Sequence, residues 1–273
     1  MAIDLRDNLY VLDAGNFCIR RITADGSVTT LAGGQQGYAD GNGLAAEFYN
    51  PTSIAADGAG NIYVAEQTRL RKITAAGIVT TLAGSPTQGY ADGVGVNALF
   101  YFINAIAIDA LGNIVVLDKS LPENNIRIIS PTGNVSTFTP VSIFSFGIAM
   151  DDQQNLFITE QGIWEKDKIM KITPAKLVTQ VANSPRESAI TMSQGFIFLA
   201  GNTGDINYNY PGIYKIISAS NYSLLAGGTR AGFLDGDGNT AQFSSTAGIA
   251  VESKGNLYVS DKDNNRIRKV SKK

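Results

Sequence analysis

The sequence contains no histidine and only one cysteine, Cys18. Without histidine there is no Ser-His-Asp triad, no Cys-His nucleophile pair and no His-ligated zinc site. A single cysteine excludes intrachain disulfides and leaves the redox compartment open. Within Phe17-Cys18-Ile19 it reads as a small buried hydrophobe. No apolar run approaches the ~20 residues of a membrane-spanning helix, and the opening MAIDLRDNLYV lacks the charged-then-apolar layout of a signal peptide. Neither charge dominates: 22 Lys and Arg stand against 24 Asp and Glu, for a net charge of -2. With a pI near 5.2, that balance argues against a general polyanion binder and against nucleic acid as partner.

What the chain does have is a core and a repeat. Its 273 residues are 44% hydrophobic, enough to bury a sizeable interior. The stretch from Asn50 to Gly84, NPTSIAADGAGNIYVAEQTRLRKITAAGIVTTLAG, holds four short apolar runs separated by turn residues. Ser53 to Ala56, Ile62 to Ala65, Leu70 to Ile73 and Val79 to Leu82 are each of strand length, so the stretch predicts a four-stranded antiparallel meander. A sheet this small cannot bury its own faces, and copies of it are therefore expected.

Six copies are present. The first run recurs ahead of Asp4, Asp57, Asp109, Asp151, Ser193 and Glu252, in steps of 53, 52, 42, 42 and 59 residues. The second gives NLYVLD (8–13), NIYVAE (61–66), NIVVLD (113–118), NLFITE (155–160), GFIFLA (195–200) and NLYVSD (256–261). The third carries paired basic residues, as in Ile19-Arg20-Arg21-Ile22 and Leu70-Arg71-Lys72-Ile73. The fourth, VTTLAG at 28–33 and 79–84, weakens along the chain and is missing after Val270. Meanders of about 50 residues predict an all-β, six-bladed β-propeller of four-stranded antiparallel blades, the last one three-stranded. One domain is expected over 1–273, with copies at approximately 1–35, 50–85, 103–140, 146–183, 188–228 and 246–271. Small residues such as Ala55 and Ala107 in the first strands suit an innermost position. Met1 stands in a column otherwise filled by Ile, so a truncated N-terminus is expected.

These residues resemble the NHL repeat: Ile-Ala-x-Asp, Asn-Ile-Tyr-Val-Ala-Glu, Asn-Arg-Ile-Arg-Lys-Val and Val-Thr-Thr-Leu-Ala-Gly all follow its pattern, most closely in GNLYVSDKDNNRIRKV at 255–270. Three connections, 37–48, 89–100 and 232–243, add G-[YF]-x-D-G-x-G-x-x-A-x-F. That addition is similar to bacterial NHL propellers of the cell envelope. The resemblance implies a six-bladed propeller and an envelope or secreted location, but no single activity. It also implies that an amidating lyase of this family is excluded, since its metal chemistry needs histidine.

In a meander, connections after strands two and four leave on one face. The acids Asp13, Glu66, Asp118, Glu160 and Asp261 therefore share a face with the Asp-Gly loops and with the longest insertion, Gly201 to Gly212, which carries Asp205, Tyr208 and Tyr210. These eight are the candidate partner-binding residues. The bland account of the acids is pairing with the basic column Arg21, Lys72, Lys171, Lys215 and Lys269. No catalytic residue and no metal ligand stand out. The start Asp235-Gly-Asp237-Gly-Asn239 is not an EF-hand, because Gly is absent from its sixth position and the twelfth is Thr246. No cofactor is expected, calcium being the one weighed. Three functions fit: a monomeric recognition scaffold for a protein, peptide or glycan; a calcium-dependent lactonase-like hydrolase or lyase; and an RNA-binding propeller.

Overall fold

The computed structural model describes residues 1–120, 124–142, 144–162, 167–203, 210–228 and 230–271, with the Glu187 side chain set aside. The chain is an all-β, six-bladed β-propeller that falls into two compact units, Met1–Ile143 and Phe144–Lys273, of three blades each. None of the helices among the described residues is long and apolar enough to cross a membrane.

In the first unit, blade one comprises Ala2–Ile3, Leu9–Asp13, Cys18–Ile22 and Val28–Gly33. Blade two comprises Ser53–Ala56, Ile62–Ala65, Arg69–Ile73 and Ile78–Gly84, and blade three Ile103–Ile108, Ile114–Asp118, Asn124–Ile129 and Asn134–Val141. Blades two and three each gain a fifth, outermost strand from the connection that precedes them, Gly41–Asn42 on Ile78–Gly84 and Gly93–Val94 on Asn134–Val141. In the second unit, blade four comprises Ser145–Met150, Leu156–Glu160, Lys168–Ile172 and Val178–Asn183. Blade five comprises Arg186–Ser193, Phe196–Asn202, Pro211–Ser218 and Asn221–Gly227, and blade six the three strands Thr246–Val251, Leu257–Asp261 and Arg266–Val270. Within each unit the first strands of successive blades lie side by side.

The repeat fixes local geometry in two places. Between strands one and two of blades one to four, the acid closing the first run accepts the backbone and side chain of an asparagine four residues on. Asp57 thus accepts Asn61 N at 2.8 Å and Asn61 Nδ2 at 2.8 Å, and Tyr63 Oη donates to it at 3.2 Å. Between strands three and four, the register shifts at Ile19/Arg20, Leu70/Arg71, Ile126/Arg127, Ile169/Met170 and Ile213/Tyr214. Such a bulge re-aims the side chains beyond it, and here it sets Thr30, Thr81 and Thr137 opposite Arg20, Arg71 and Arg127.

Apolar plugs fill the space between blades. Phe48, Phe100 and Phe243, from the three Asp-Gly connections, are buried in clusters with residues of the blades on either side. Each presses on the glycine that ends the preceding blade's fourth strand. A Cβ at Gly33, whose φ is +86, would lie 2.6 Å from Phe48 Cδ2 and 2.4 Å from the Phe17 carbonyl. The left-handed backbone and the close ring together require glycine there. Cys18 is a buried free thiol; burial pushes its pKa up, against the influence of Arg20.

Candidate functional site

Three of the expected acids are held in one repeated construction. Asp118 is fully buried; one oxygen accepts the N–H groups of Tyr101 and Phe102 at 3.0 and 2.9 Å, and the other meets Arg127 Nη1 at 3.1 Å. Arg127, also fully buried, donates onward to the Leu99 and Ala91 carbonyls at 2.6 Å each and to Asp92 at 2.7 Å. Arg71 repeats this with Glu66, the Glu47 and Ala39 carbonyls, and Asp40 at 2.8 Å. Arg268 does so with Asp261, the Gln242 and Leu234 carbonyls, and Asp235 at 2.5 Å. Each guanidinium therefore ties the second-strand acid to the Asp-Gly loop that enters its blade, with loop aromatics over its faces: Tyr90 and Phe100 at 4.8 and 4.7 Å for Arg127. The acids and the Asp-Gly loops share a face, as strand direction requires.

The pairing residue is one position earlier than the sequence reading placed it. Asp118 lies opposite Asn125 and Asp261 opposite Arg266, so the residues two further on, Arg127 and Arg268, point to the acid's side of the sheet. The column of Lys72, Lys171, Lys215 and Lys269 points the other way, over the second-strand rings of Tyr63, Phe157, Phe198 and Tyr258 at 5.7, 5.7, 6.0 and 5.2 Å. Arg21 donates to Asn8 at 3.4 Å.

The remaining expected residues are not drawn together. Asp13 pairs with Arg20 at 3.1 Å near the surface. Glu160 accepts Ser145 Oγ at 3.5 Å, and burial pushes its carboxyl up, against that hydrogen bond and Lys168. Asp205 and Tyr208 lie outside the described residues. The Tyr210 carbonyl accepts the Thr203 N–H at 3.3 Å, at the base of the insertion.

Glu66 departs from the pattern, and the cause is a turn length. In blades one and six, four residues separate the second-strand acid from Cys18 or Arg266, and the turn supplies an asparagine to the acid: Asn16 Nδ2 to Asp13 at 2.9 Å, Asn264 Nδ2 to Asp261 at 2.9 Å. In blade two only Gln67 and Thr68 separate Glu66 from Arg69. No asparagine reaches the carboxylate. Oε1 accepts Tyr49 N at 2.8 Å and Arg71 Nη1 at 3.2 Å, while Oε2 is buried with no partner among the described residues. The missing turn residues leave a cavity of about 150 Å³ lined by Tyr38, Tyr49, Glu66, Gln67, Thr68, Pro86 and Gln88.

The walls of this cavity are built. Tyr38 and Tyr49 meet with ring centroids 4.8 Å apart, and Arg69 lies over the Tyr38 ring at 3.9 Å. Arg69 is itself buried, with Nε and Nη2 unpartnered among the described residues. Thr68 Oγ1 donates to the Ser85 carbonyl at 2.7 Å, and Gln88 Nε2 to the Tyr101 carbonyl at 2.8 Å, which fixes the rim. Burial pushes the Glu66 carboxyl up; Arg71, the Tyr49 N–H and Arg69 oppose it without cancelling it. Of the cavity's residues, only Glu66 is among the candidates the sequence offers. The signal for the rest was the short Glu66-to-Leu70 interval, which shows only when the six copies are aligned.

Residues 243–270 match the family model of the NHL repeat. No curated protein matches the chain. Among solved structures, the chain is similar to a catalytically inactive histidine-to-alanine variant of virginiamycin B lyase from Staphylococcus aureus with quinupristin: 15% identity, TM-score 0.59, 98% of this chain and 79% of that one. It is similar to a gluconolactonase from Xanthomonas campestris, at 12% identity and TM-score 0.64 over 94% of this chain and 81% of that one. It is also similar to the PQQ-bound aldose sugar dehydrogenase from Streptomyces coelicolor, at 15% identity and TM-score 0.64 over 98% of this chain and 92% of that one. At these identities the likeness is one of fold.

Proposed function

We propose that this chain is a non-catalytic recognition scaffold that takes a protein, peptide or glycan ligand on the face of the long connections, at the blade-two cavity. One observation carries the reading: among the described residues, Glu66 is the acid of the column whose second oxygen is buried and unpartnered, and it lines a cavity walled by two tyrosines. Asp118 and Asp261 are engaged by arginine clamps and by backbone N–H groups of the entering connections, a structural use. Among the described residues, no group of three or more His, Cys, Asp or Glu is placed to hold a metal ion. A lyase, a gluconolactonase and a quinone-bound dehydrogenase share the fold, so the fold selects none of their chemistries. The lyase variant described as inactive has lost a histidine, and this chain has none to put in its place.

The second reading, a calcium-dependent lactonase-like hydrolase, is favoured by the gluconolactonase neighbour. Melting temperature in calcium and in chelator, with turnover of gluconolactone followed by acid release, separates the two. The scaffold reading expects equal melting temperatures and no turnover; a calcium-dependent rise in stability with lactone hydrolysis overturns it.

A further inference from the structure

The geometry points to a neutral polyhydroxyl group, one sugar ring in size, as the ligand of the Glu66 cavity. This inference rests on the recognition reading above and narrows it. Charge comes first. Around the cavity Arg69 and Arg71 face Glu66 and Asp40, and the Glu47 carboxylate accepts the Tyr38 and Ala39 N–H groups, so charges of both signs surround it. A cationic ligand would be repelled by the buried Arg69 guanidinium on the Tyr38 wall, and an anionic one by the buried Glu66, whose charge Arg71 already pairs. A neutral ligand avoids both.

Hydrogen-bonding capacity narrows the choice further. An ionised Glu66 presents Oε2 as an acceptor; the protonated acid, which burial favours, presents a donor. A hydroxyl satisfies either state, since it both donates and accepts, whereas an amide N–H serves only the carboxylate. Blades one and six give the equivalent carboxylate an asparagine donor from within the chain, so the carboxylate is one where a further donor belongs. The tyrosine pair supplies flat apolar surface for the C–H face of a ring, and Gln88 and Thr68 stand at the rim. Size agrees, because about 150 Å³ is well below the ~300–1,000 Å³ typical of pockets for drug-sized ligands.

The test uses isotope-labelled full-length protein and two probe sets at millimolar concentration: D-glucose, D-galactose, D-mannose and N-acetyl-D-glucosamine in one, N-acetylated glutamine and lysine amides in the other. The reporters are the amides of Glu66, Gln67, Thr68 and Gln88. Two variants accompany the wild type. One replaces Gln67 and Thr68 by Ala-Gly-Asn-Phe, the turn of blade one at 14–17, which brings an asparagine to the carboxylate and fills the cavity. The other is Tyr38→Ala, at a side chain on the cavity wall that is partly exposed, so the fold is retained even if the grafted turn disturbs it. We expect at least one sugar to shift these amides, and both variants to weaken it by about tenfold or more. Shifts from the amino-acid amides alone overturn the polyhydroxyl class while leaving the recognition reading intact. Sugar shifts that persist in both variants overturn Glu66 as the site. No shift from either probe set overturns the inference and the recognition reading together.

Discussion

Arg71 Nη2 lies 2.8 Å from Asp40 Oδ1, although Asp40 belongs to the connection that enters blade two and Arg71 to that blade's third strand. The same carboxylate accepts the backbone and hydroxyl of Thr81 in the fourth strand, at 3.0 and 3.1 Å. One loop aspartate thus stitches an inner-facing cation to an outer strand. Asp92 does the same for Arg127 and Thr137, at 2.7, 2.9 and 3.0 Å. In blade six no fourth strand flanks Asp235, whose side chain is 83% exposed against 48% for Asp40.

Arg127→Met should be among the most damaging surface-distant substitutions in the chain. It leaves the fully buried Asp118 without its cation and the Leu99 and Ala91 carbonyls without a donor, at a cost of about 3–5 kcal/mol. Arg20→Met, at a half-exposed pair with no entering loop, should cost less than about 1 kcal/mol. Urea unfolding of the two variants measures the contrast, and equal midpoints would show that the clamp carries no stability.

Gly84→Ala tests the seat of the plug. The residue has φ +88, and its new Cβ would lie 2.2 Å from the Thr68 carbonyl and 3.0 Å from Phe100. Gly26→Ala, at φ +87 with nothing within 4 Å, isolates the backbone term of ~1–2 kcal/mol. The first variant should melt well below the second, and coincident melting curves would remove Phe100 from the account.

Ala250→Leu should lose about 1–3 kcal/mol by overpacking, since Ala250 is 4% exposed in its first strand. The half-buried Ala55 and Ala107 occupy the same column, and leucine there should be tolerated better. Chemical denaturation of the three variants orders them.

Tyr10 and Tyr63 should titrate late. Burial, with Asp4 or Asp57 beside the hydroxyl, pushes both up to about 12 from 10.0. A neutral acid with a raised folded pKa holds more protons folded than unfolded between those values. Its contribution to stability is therefore complete below pH 10.0 and is lost as pH rises toward about 12. Near-ultraviolet absorbance should show two tyrosines fewer ionising at high pH in a Tyr10→Phe, Tyr63→Phe double variant. If the late component survives in that variant, it belongs to other rings.

Much of the fold was legible because a period of two and a period of about fifty are both one-dimensional signals. Ser53–Ala56 and Ile62–Ala65 fall where the apolar runs placed them, and the third and fourth strands are longer by one to three residues because ladder pairing continues into Arg69, Ile78 and Gly84. The missing fourth strand of blade six was readable for the same reason. The arginine clamp was not, because choosing between Arg71 and Lys72 requires knowing which residue lies opposite the acid's neighbour across the hairpin. Nor was the cavity, which arises from two absent residues bringing Tyr38 and Tyr49 against Glu66 from a different connection. A deletion shows only as a shortened interval once the copies are aligned.

The clamps also decide where this protein can be cut and rejoined. Each one fastens an entering connection to the blade that follows it by hydrogen bonds, while the phenylalanine of that connection meets the blade before through apolar packing alone. The transferable segment is therefore offset from the sheet: 37–84 and 89–141 carry their own arginine, acid, loop aspartate and fifth strand as a set. A recombination joint placed just after Gly84 would keep such a set whole, whereas one placed at Ser53, where the sheet begins, would separate Asp40 from Arg71 and strand a buried cation. Tandem duplication of this chain would be expected to leave its scars between clamps, at the glycines, and not at the first strands.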